Sequence, residues 1–409
     1  MIDINGCRYQ KPSRPTVVVC LDGCDPAYLA QGIQDGIIPT LASFRDAGYF
    51  GYADAVLPTF TNPNNVSIVC GAPPQVHGIS GNYYLDRETG REIMITDGSL
   101  MRCDTILARM SRCGVSVAAI TAKDKLRKML GRNLSGISFS SERADGAMLA
   151  ENGIENVERL VGRPAPNPYS ADLSLYVLDA GLRLLERKQA ELLYLSLSDF
   201  VQHAYAPGEP ASNEFLCAVD ARVKEFVQLG AVVGLVADHG MNDKAKPDGT
   251  PNVIYLEEEL EGTFGEAAVR VICPITDPFV RHHGALGSFV RVYLRKSGEL
   301  EKIMQATAKM PGVAIVMTGE EAARRFELPS DREGDFVALA DGHTVIGSRH
   351  SEHDLSGLAG HRLRSHGGLM EQRVPFLLSC PLNKEYQAIA QTRRLRNFHI
   401  FEFALNGTS

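Results

Sequence analysis

The 409-residue chain has no tryptophan, which is unusual at this length but excludes nothing by itself. Its other absences say more. There is no basic excess: 42 Lys and Arg stand against 49 Asp and Glu, a formal charge of -7. No basic stripe is therefore available to displace counterions from a phosphate backbone, which argues against a nucleic-acid partner. The opening, MIDINGCRYQKPSRPT, has no apolar leader, and no hydrophobic run is long enough to span a bilayer. Neither a secretory signal nor a membrane partner is expected, and the expected location is cytoplasmic. The nine cysteines are odd in number, scattered and without CxxC spacing, which suits reduced core thiols better than disulfides. Cys20 and Cys24 flank Asp22, an arrangement a soft-ligand site would need, but Cys20 lies inside an apolar run and reads as core. Internal repeats, heptad runs and low-complexity segments are also missing, which removes solenoids and coiled coils.

What is present is an ordinary globular composition, 44% hydrophobic and 22% charged, long enough to bury a full core. Three apolar, β-branched runs each lead into an acidic residue: VVVCLDG into Asp22, LLYLSLSD into Asp199 and AVVGLVADHG into Asp238. Continuous apolarity marks strands buried on both faces of a parallel sheet. Amphipathic stretches from about Leu173 to Lys188 and from Asn213 to Leu229 alternate with them, so the fold class is α/β, a doubly wound and mostly parallel sheet. Ligands bind beyond the carboxyl ends of such strands, where all three aspartates fall. After Asp248 the texture becomes α+β, and it returns to core-like at RVPFLLSC. Residues 250–362 are expected to form an inserted cap, with 1–249 and 363–409 as the core.

Asp199 and His203 stand four residues apart, which on a helical turn puts both on one face. Asp238 and His239 are adjacent, and Gly240 lets the chain leave the strand there. His366 sits in a loop between cap and closing strand, with glycines after it. With Asp22 this makes three carboxylates and three imidazoles, a donor set that suits two divalent ions, Zn²⁺ foremost, with Mn²⁺ or Fe also accepted. Net negative charge does not oppose a small anionic substrate, because metal ions and a few lysines make a site locally positive. In LPTFTNPNNVSIVCG, Asn62 is a good cap, Pro63 a good first residue and Gly71 a good stop, so a helix from Pro63 to Cys70 is expected. Thr61 would lie just before it, where free N–H groups favour an anion and a metal-coordinated alcohol can attack phosphorus. The same Thr61 would also serve as a plain helix-capping residue.

Taken together, Asp22 after VVVCL, Thr61 in PTFTNPNN, Asp199 with His203, Asp238-His239-Gly240-Met241 and His366-Gly367 resemble the alkaline phosphatase superfamily. The likeness is strongest to the branch containing nucleotide pyrophosphatase/phosphodiesterases and phosphonoacetate hydrolases. It implies an alkaline phosphatase-like core and a two-metal hydrolase. Asp22, Thr61, Asp238 and His239 would hold one ion and Asp199, His203 and His366 the other. It further implies that Thr61 is the nucleophile and that Asn82 hydrogen-bonds a phosphoryl oxygen. In ITAKDKLRKML, Lys123 and Lys125 look like the lysine pair with which phosphonoacetate hydrolases hold the substrate carboxylate, so the expected reaction is C–P cleavage of phosphonoacetate to acetate and phosphate. His282, His283 and Lys246 are lesser candidates from the cap side. The alternative is a phosphodiesterase or nucleotide pyrophosphatase, for which Phe60, Tyr83 and Tyr84 would have to build a slot for a base. A homodimer is a further expectation.

Overall fold

The computed structural model describes residues 1–277, 283–295, 298–358 and 360–408. Its larger sheet has seven strands, in the order Tyr49–Asp54, Arg373–Leu378, Val232–Val236, Thr16–Cys20, Leu192–Ser196, Val117–Thr121 and Ile137–Ser140. The last five run parallel, while Arg373–Leu378 is antiparallel to both of its neighbours. The fold is α/β and mostly parallel, as the apolar runs required.

Every residue of the strands Thr16–Cys20, Leu192–Ser196 and Val232–Val236 is buried, because helices cover both faces. Register shows which helix lies where. Val18, Tyr194 and Gly234 are level with one another, and on their face Ile400 closes on Gly234 while the Tyr194 ring meets Phe401. Leu195 points the other way and packs on Gly181 of the Asp172–Glu186 helix, where Phe226 of the Pro210–Gln228 helix also arrives. A Cβ at 181 would come within 2.8 Å of Leu195 and one at 234 within 3.1 Å of Ile400, so glycine permits the close helix–sheet approach.

A second, four-stranded antiparallel sheet runs in the order Val269–Ile272, Phe289–Leu294, Phe336–Ala340 and Val313–Thr318. The helices Leu256–Phe264, Leu300–Ala308 and Gly319–Phe326 accompany it. Its apolar cluster includes Val269, Phe289 and Phe336 and takes in Leu57 and Phe60 from the first part of the chain. A fully buried ion pair, Arg291 with Glu333, also reaches Ser80, so the second sheet is tied to the loop ahead of Asn82. Among the described residues, no helix is long and apolar enough to cross a membrane.

The helix after Thr59 begins at Thr61 itself, with Phe60 as its cap, and ends at Cys70 with Gly71 left-handed. It therefore starts earlier than Asn62 and Pro63 suggested. Asn64 explains the difference, because its amide binds the carbonyls of Val56, Pro58 and Phe60 and turns the chain before the expected cap.

Candidate active site

Three adjacent strands deliver the three aspartates. Thr16–Cys20 lies between Val232–Val236 and Leu192–Ser196, so Asp22, Asp238 and Asp199 emerge side by side at one end of the sheet. Each brings histidine with it or meets one. Asp22, Asp238 and His239 offer donor atoms that all lie within 4.8 Å of one another, and so do Asp199, His203 and His366. The two groups touch, since the His239 and His366 rings stack with centroids 3.6 Å apart. Asp199 lies three residues beyond its strand, at the cap position of the Phe200–Ala204 helix, and that turn is what brings His203 beside it.

Hydrogen bonding settles the histidine tautomers. The Nδ1 of His203 meets the Arg364 carbonyl at 2.8 Å, that of His239 meets Gly240 at 2.9 Å, and that of His366 meets Thr59 at 2.7 Å. A carbonyl only accepts, so each Nδ1 carries a proton and the lone pair a ring can offer is the one at Nε2. Those lone pairs point at carboxylates: His203 Nε2 lies 2.8 Å from Asp199 Oδ2, and His239 Nε2 lies 3.3 Å from Asp22 Oδ1 and 3.7 Å from Asp238 Oδ2. Lone pair facing carboxylate is repulsive unless a proton or a cation stands between them.

Burial weighs against a proton on the imidazole and against charge on the carboxylate. It pushes the His366 imidazole well below its usual range, with His239 and His203 adding to the effect. The Asp22 carboxyl is pushed well above its range, first by burial and then by Asp238 and Asp199. Its Oδ1 is buried without a hydrogen-bond donor, and neither Asp22 nor Asp238 has a Lys or Arg at ion-pair distance among the described residues. Uncompensated buried carboxylates facing imidazole lone pairs are a donor set that fits divalent cations. Cys20 and Cys24 join neither group, and burial raises both thiols well above the usual value.

Thr61 Oγ1 stands 3.3 Å from His239 Nε2, and the Thr61–Cys70 helix has no side-chain cap. The hydroxyl is therefore turned toward the acidic and imidazole groups and is not spent on capping. It opens with Asp22, Asp199 and His366 into a cavity of about 310 Å³. Asn82, Lys123 and Lys125 line the same cavity, as does His283, which burial pushes down to about 3. Asn82 Nδ2 donates to the Ile275 carbonyl at 3.1 Å, which fixes the amide against the wall.

Neither lysine is solvated surface charge. Lys125 Nζ pairs with Asp277 at 2.7 Å, each side chain only 11% exposed. Lys123 Nζ donates to the Pro168 carbonyl at 3.0 Å, lies 3.5 Å from Glu142 and stands over the Tyr169 ring. Lys246 is not among the cavity-lining residues, and His282 lies outside the described residues. Of the aromatic candidates Phe60 lines the cavity, while the Tyr83 hydroxyl bonds Glu92 and Tyr84 is buried beneath Arg332.

Sequence reasoning missed Asn65, Glu371 and Asp277. Asn65 Nδ2 donates to Asp238 Oδ2 and to the Thr61 carbonyl, both at 3.0 Å, while its Oδ1 accepts from Tyr194 and Ser196. One helical turn separates it from Thr61, a spacing that was available to find it. The other two are brought in by tertiary contacts that no local pattern announces.

Comparison with known proteins places the chain in a family. Residues 16–368 match the family model for type I phosphodiesterase / nucleotide pyrophosphatase. The chain belongs to that family. It is also similar to the crystal structure of phosphonoacetate hydrolase from Sinorhizobium meliloti in complex with phosphonoformate, at TM-score 0.95 and 45% identity, covering 100% of this chain and 99% of that one. Over 46 residues, 11% of this chain, it is 56% identical to the phosphonoacetate hydrolase of Penicillium oxalicum, matching 64% of that protein's length. Over 250 residues, 59% of this chain, it is 24% identical to an uncharacterised pyrophosphatase/phosphodiesterase of Schizosaccharomyces pombe, spanning 47% of that protein. The chain thus spans between about half and two thirds of the length of these two curated relatives.

Proposed function

We propose that the chain hydrolyses the C–P bond of phosphonoacetate, giving acetate and inorganic phosphate through a phospho-threonine formed on Thr61. The observation that carries this reading is the shared cavity, which Lys123 and Lys125 line together with Thr61, Asp22, Asp199 and His366. The similar Sinorhizobium protein, crystallised with phosphonoacetate, adds support.

Asp22, Thr61, Asp238 and His239 would hold one divalent cation and Asp199, His203 and His366 the other, Zn²⁺ being the metal we favour for this donor set. Bound there, such ions supply Lewis acidity toward the phosphonate oxygens and the threonine hydroxyl. The chain's own groups do the rest. The first turn of the Thr61–Cys70 helix offers N–H groups and a positive dipole end to the phosphonate. Asn82 binds one phosphoryl oxygen through its second amide hydrogen, the first being held by Ile275. Thr61 Oγ1 gives up its proton to solvent and bonds to phosphorus as the C–P bond breaks, and the electron pair of that bond delocalises into the substrate carboxylate as an enolate. Lys123 and Lys125 meet that developing charge, the point at which fixed positive charge accelerates the step. Protonation of the enolate gives acetate, and water hydrolyses the phospho-threonine. Residues 250–362 act as a cap, a role supported by the Pro274–Asp277 segment, which reaches both Asn82 and Lys125.

A phosphodiesterase reaction on the same Thr61 is the second reading, favoured by the family match but not by the aromatics, since Tyr83 and Tyr84 have other partners. The test is Thr61→Ala, which should abolish phosphate release from phosphonoacetate. Near wild-type turnover in that variant would sink the proposal.

A further inference from the structure

The lysine pair is not symmetric. Lys123 is held by a backbone carbonyl, and its nearest carboxylate, Glu142, lies 3.5 Å away with about a quarter of each side chain exposed (29% and 26%). Lys125 is deeper and makes a tight pair with Asp277 at 2.7 Å. Asp277 ends the segment Pro274-Ile275-Thr276-Asp277, which follows the Val269–Ile272 strand of the second sheet. The same segment takes the Asn82 backbone N–H on the Pro274 carbonyl at 2.7 Å and the Asn82 side chain on Ile275. One stretch of chain therefore touches both the group proposed to bind phosphoryl oxygen and the lysine proposed to bind carboxylate.

We propose that Asp277 is a specificity-determining residue: its carboxylate occupies Lys125 in the free protein as a stand-in for the carboxylate of the substrate, and binding exchanges one for the other. This rests on the functional reading above. A lysine ammonium this far from water needs a counter-ion, because a buried charge left alone is strongly unfavourable. Asp277 supplies it when the cavity is free of substrate. A carboxylated phosphonate brings a chemically equivalent group, so exchange leaves Lys125 paired throughout. Both carboxylates cannot crowd one ammonium at low dielectric without repelling each other, so Asp277 yields its position and turns its charge to the water of the cavity it also lines.

Two consequences follow from the exchange. A phosphate ester without a carboxylate meets an already neutralised Lys125 and gains nothing from it, which discriminates against such substrates. After C–P cleavage, Asp277 returns to Lys125 and competes with the acetate that remains there, assisting product release.

Asp277→Asn removes the competing charge while keeping size and one hydrogen bond. The expected result is a KM for phosphonoacetate lower by on the order of tenfold and an acetate inhibition constant lower by a similar factor. The KM for an aryl phosphodiester should shift several-fold less. Adding Asp277→Asn to Lys125→Met should no longer lower the KM, since the residue acts through that lysine. Asp277→Glu should restore wild-type behaviour, and thermal unfolding of each variant checks the fold independently of activity. If wild-type enzyme turns over phosphonoacetate but Asp277→Asn raises its KM and weakens acetate inhibition, Asp277 merely props Lys125 and the inference falls alone. If wild-type enzyme releases no phosphate from phosphonoacetate, the functional reading and this inference fall together.

Discussion

Replacing Glu371 by glutamine removes one charge from a joint that no solvent reaches. Glu371 and Lys244 are both fully buried and pair at 2.9 Å. The carboxylate also accepts from Asn242 Nδ2 at 2.7 Å and from Gly368 N at 2.9 Å, and the Glu371 carbonyl takes the Gly240 N–H at 2.8 Å. Lys244 in turn donates to the carbonyls of Asp341 and Gly342, at the end of the second sheet. The pair thus joins the loop of Asp238 and His239, the loop of His366, and the Phe336–Ala340 strand. Breaking a buried ion pair from one side leaves the other charge uncompensated and costs about 3–5 kcal/mol. Glu371→Gln should lose that much stability in urea unfolding, and chelator competition should show weaker metal retention because both ligand loops lose their anchor. Lys244→Met should cost a similar amount. The double substitution should cost clearly less than the sum, since neither charge is then stranded. Additive losses, or a Glu371→Gln variant within about 1 kcal/mol of wild type, would refute the reasoning.

Three other expectations concern the site and its surroundings. Alanine at Lys123 or Lys125 should lower kcat/KM for phosphonoacetate far more than for an aryl phosphodiester, and equal losses would assign the lysines to the fold. Asn65→Ala should weaken metal affinity about 10- to 100-fold by freeing Asp238, measured by chelator competition. His77, whose Nδ1 accepts from the Ile79 N–H, is pushed down to about 3, first by burial and then by Arg332. Between pH 6.5 and 3 the unfolded chain binds the proton that the folded chain refuses, so stability present above 6.5 falls by up to about 1.4 kcal/mol per pH unit on acidification. In His77→Gln that slope should be shallower by this amount, and an unchanged slope would place the titration elsewhere.

Much of the fold was legible because burial writes itself into local sequence. Strands covered on both faces leave uninterrupted runs such as TVVVC and VVGLV, and their carboxyl ends mark where ligands gather. The i, i+4 spacing of Asp199 and His203 survived intact because one helical turn sets it. What escaped were contacts between distant segments. Asp277 reaches Lys125 across 152 residues and Lys244 reaches Glu371 across 127, and neither acid sits in a periodic pattern. The start of the Thr61 helix was misplaced for a related reason. Asn62 and Pro63 carry good local capping chemistry, but Asn64, buried and bonded back to Val56, decides where the turn begins. Nor does any local pattern show what holds the lysines, which is Asp277 for Lys125 and the Pro168 carbonyl beside the Tyr169 ring for Lys123.

The most direct test of the central claim follows acetate and phosphate together from phosphonoacetate, using wild-type protein before chelation, after chelation and after zinc is restored, with Thr61→Ala alongside. The account predicts equal amounts of the two products, loss on chelation, recovery with zinc, and none from the threonine variant. Product formation that survives both chelation and Thr61→Ala would contradict it.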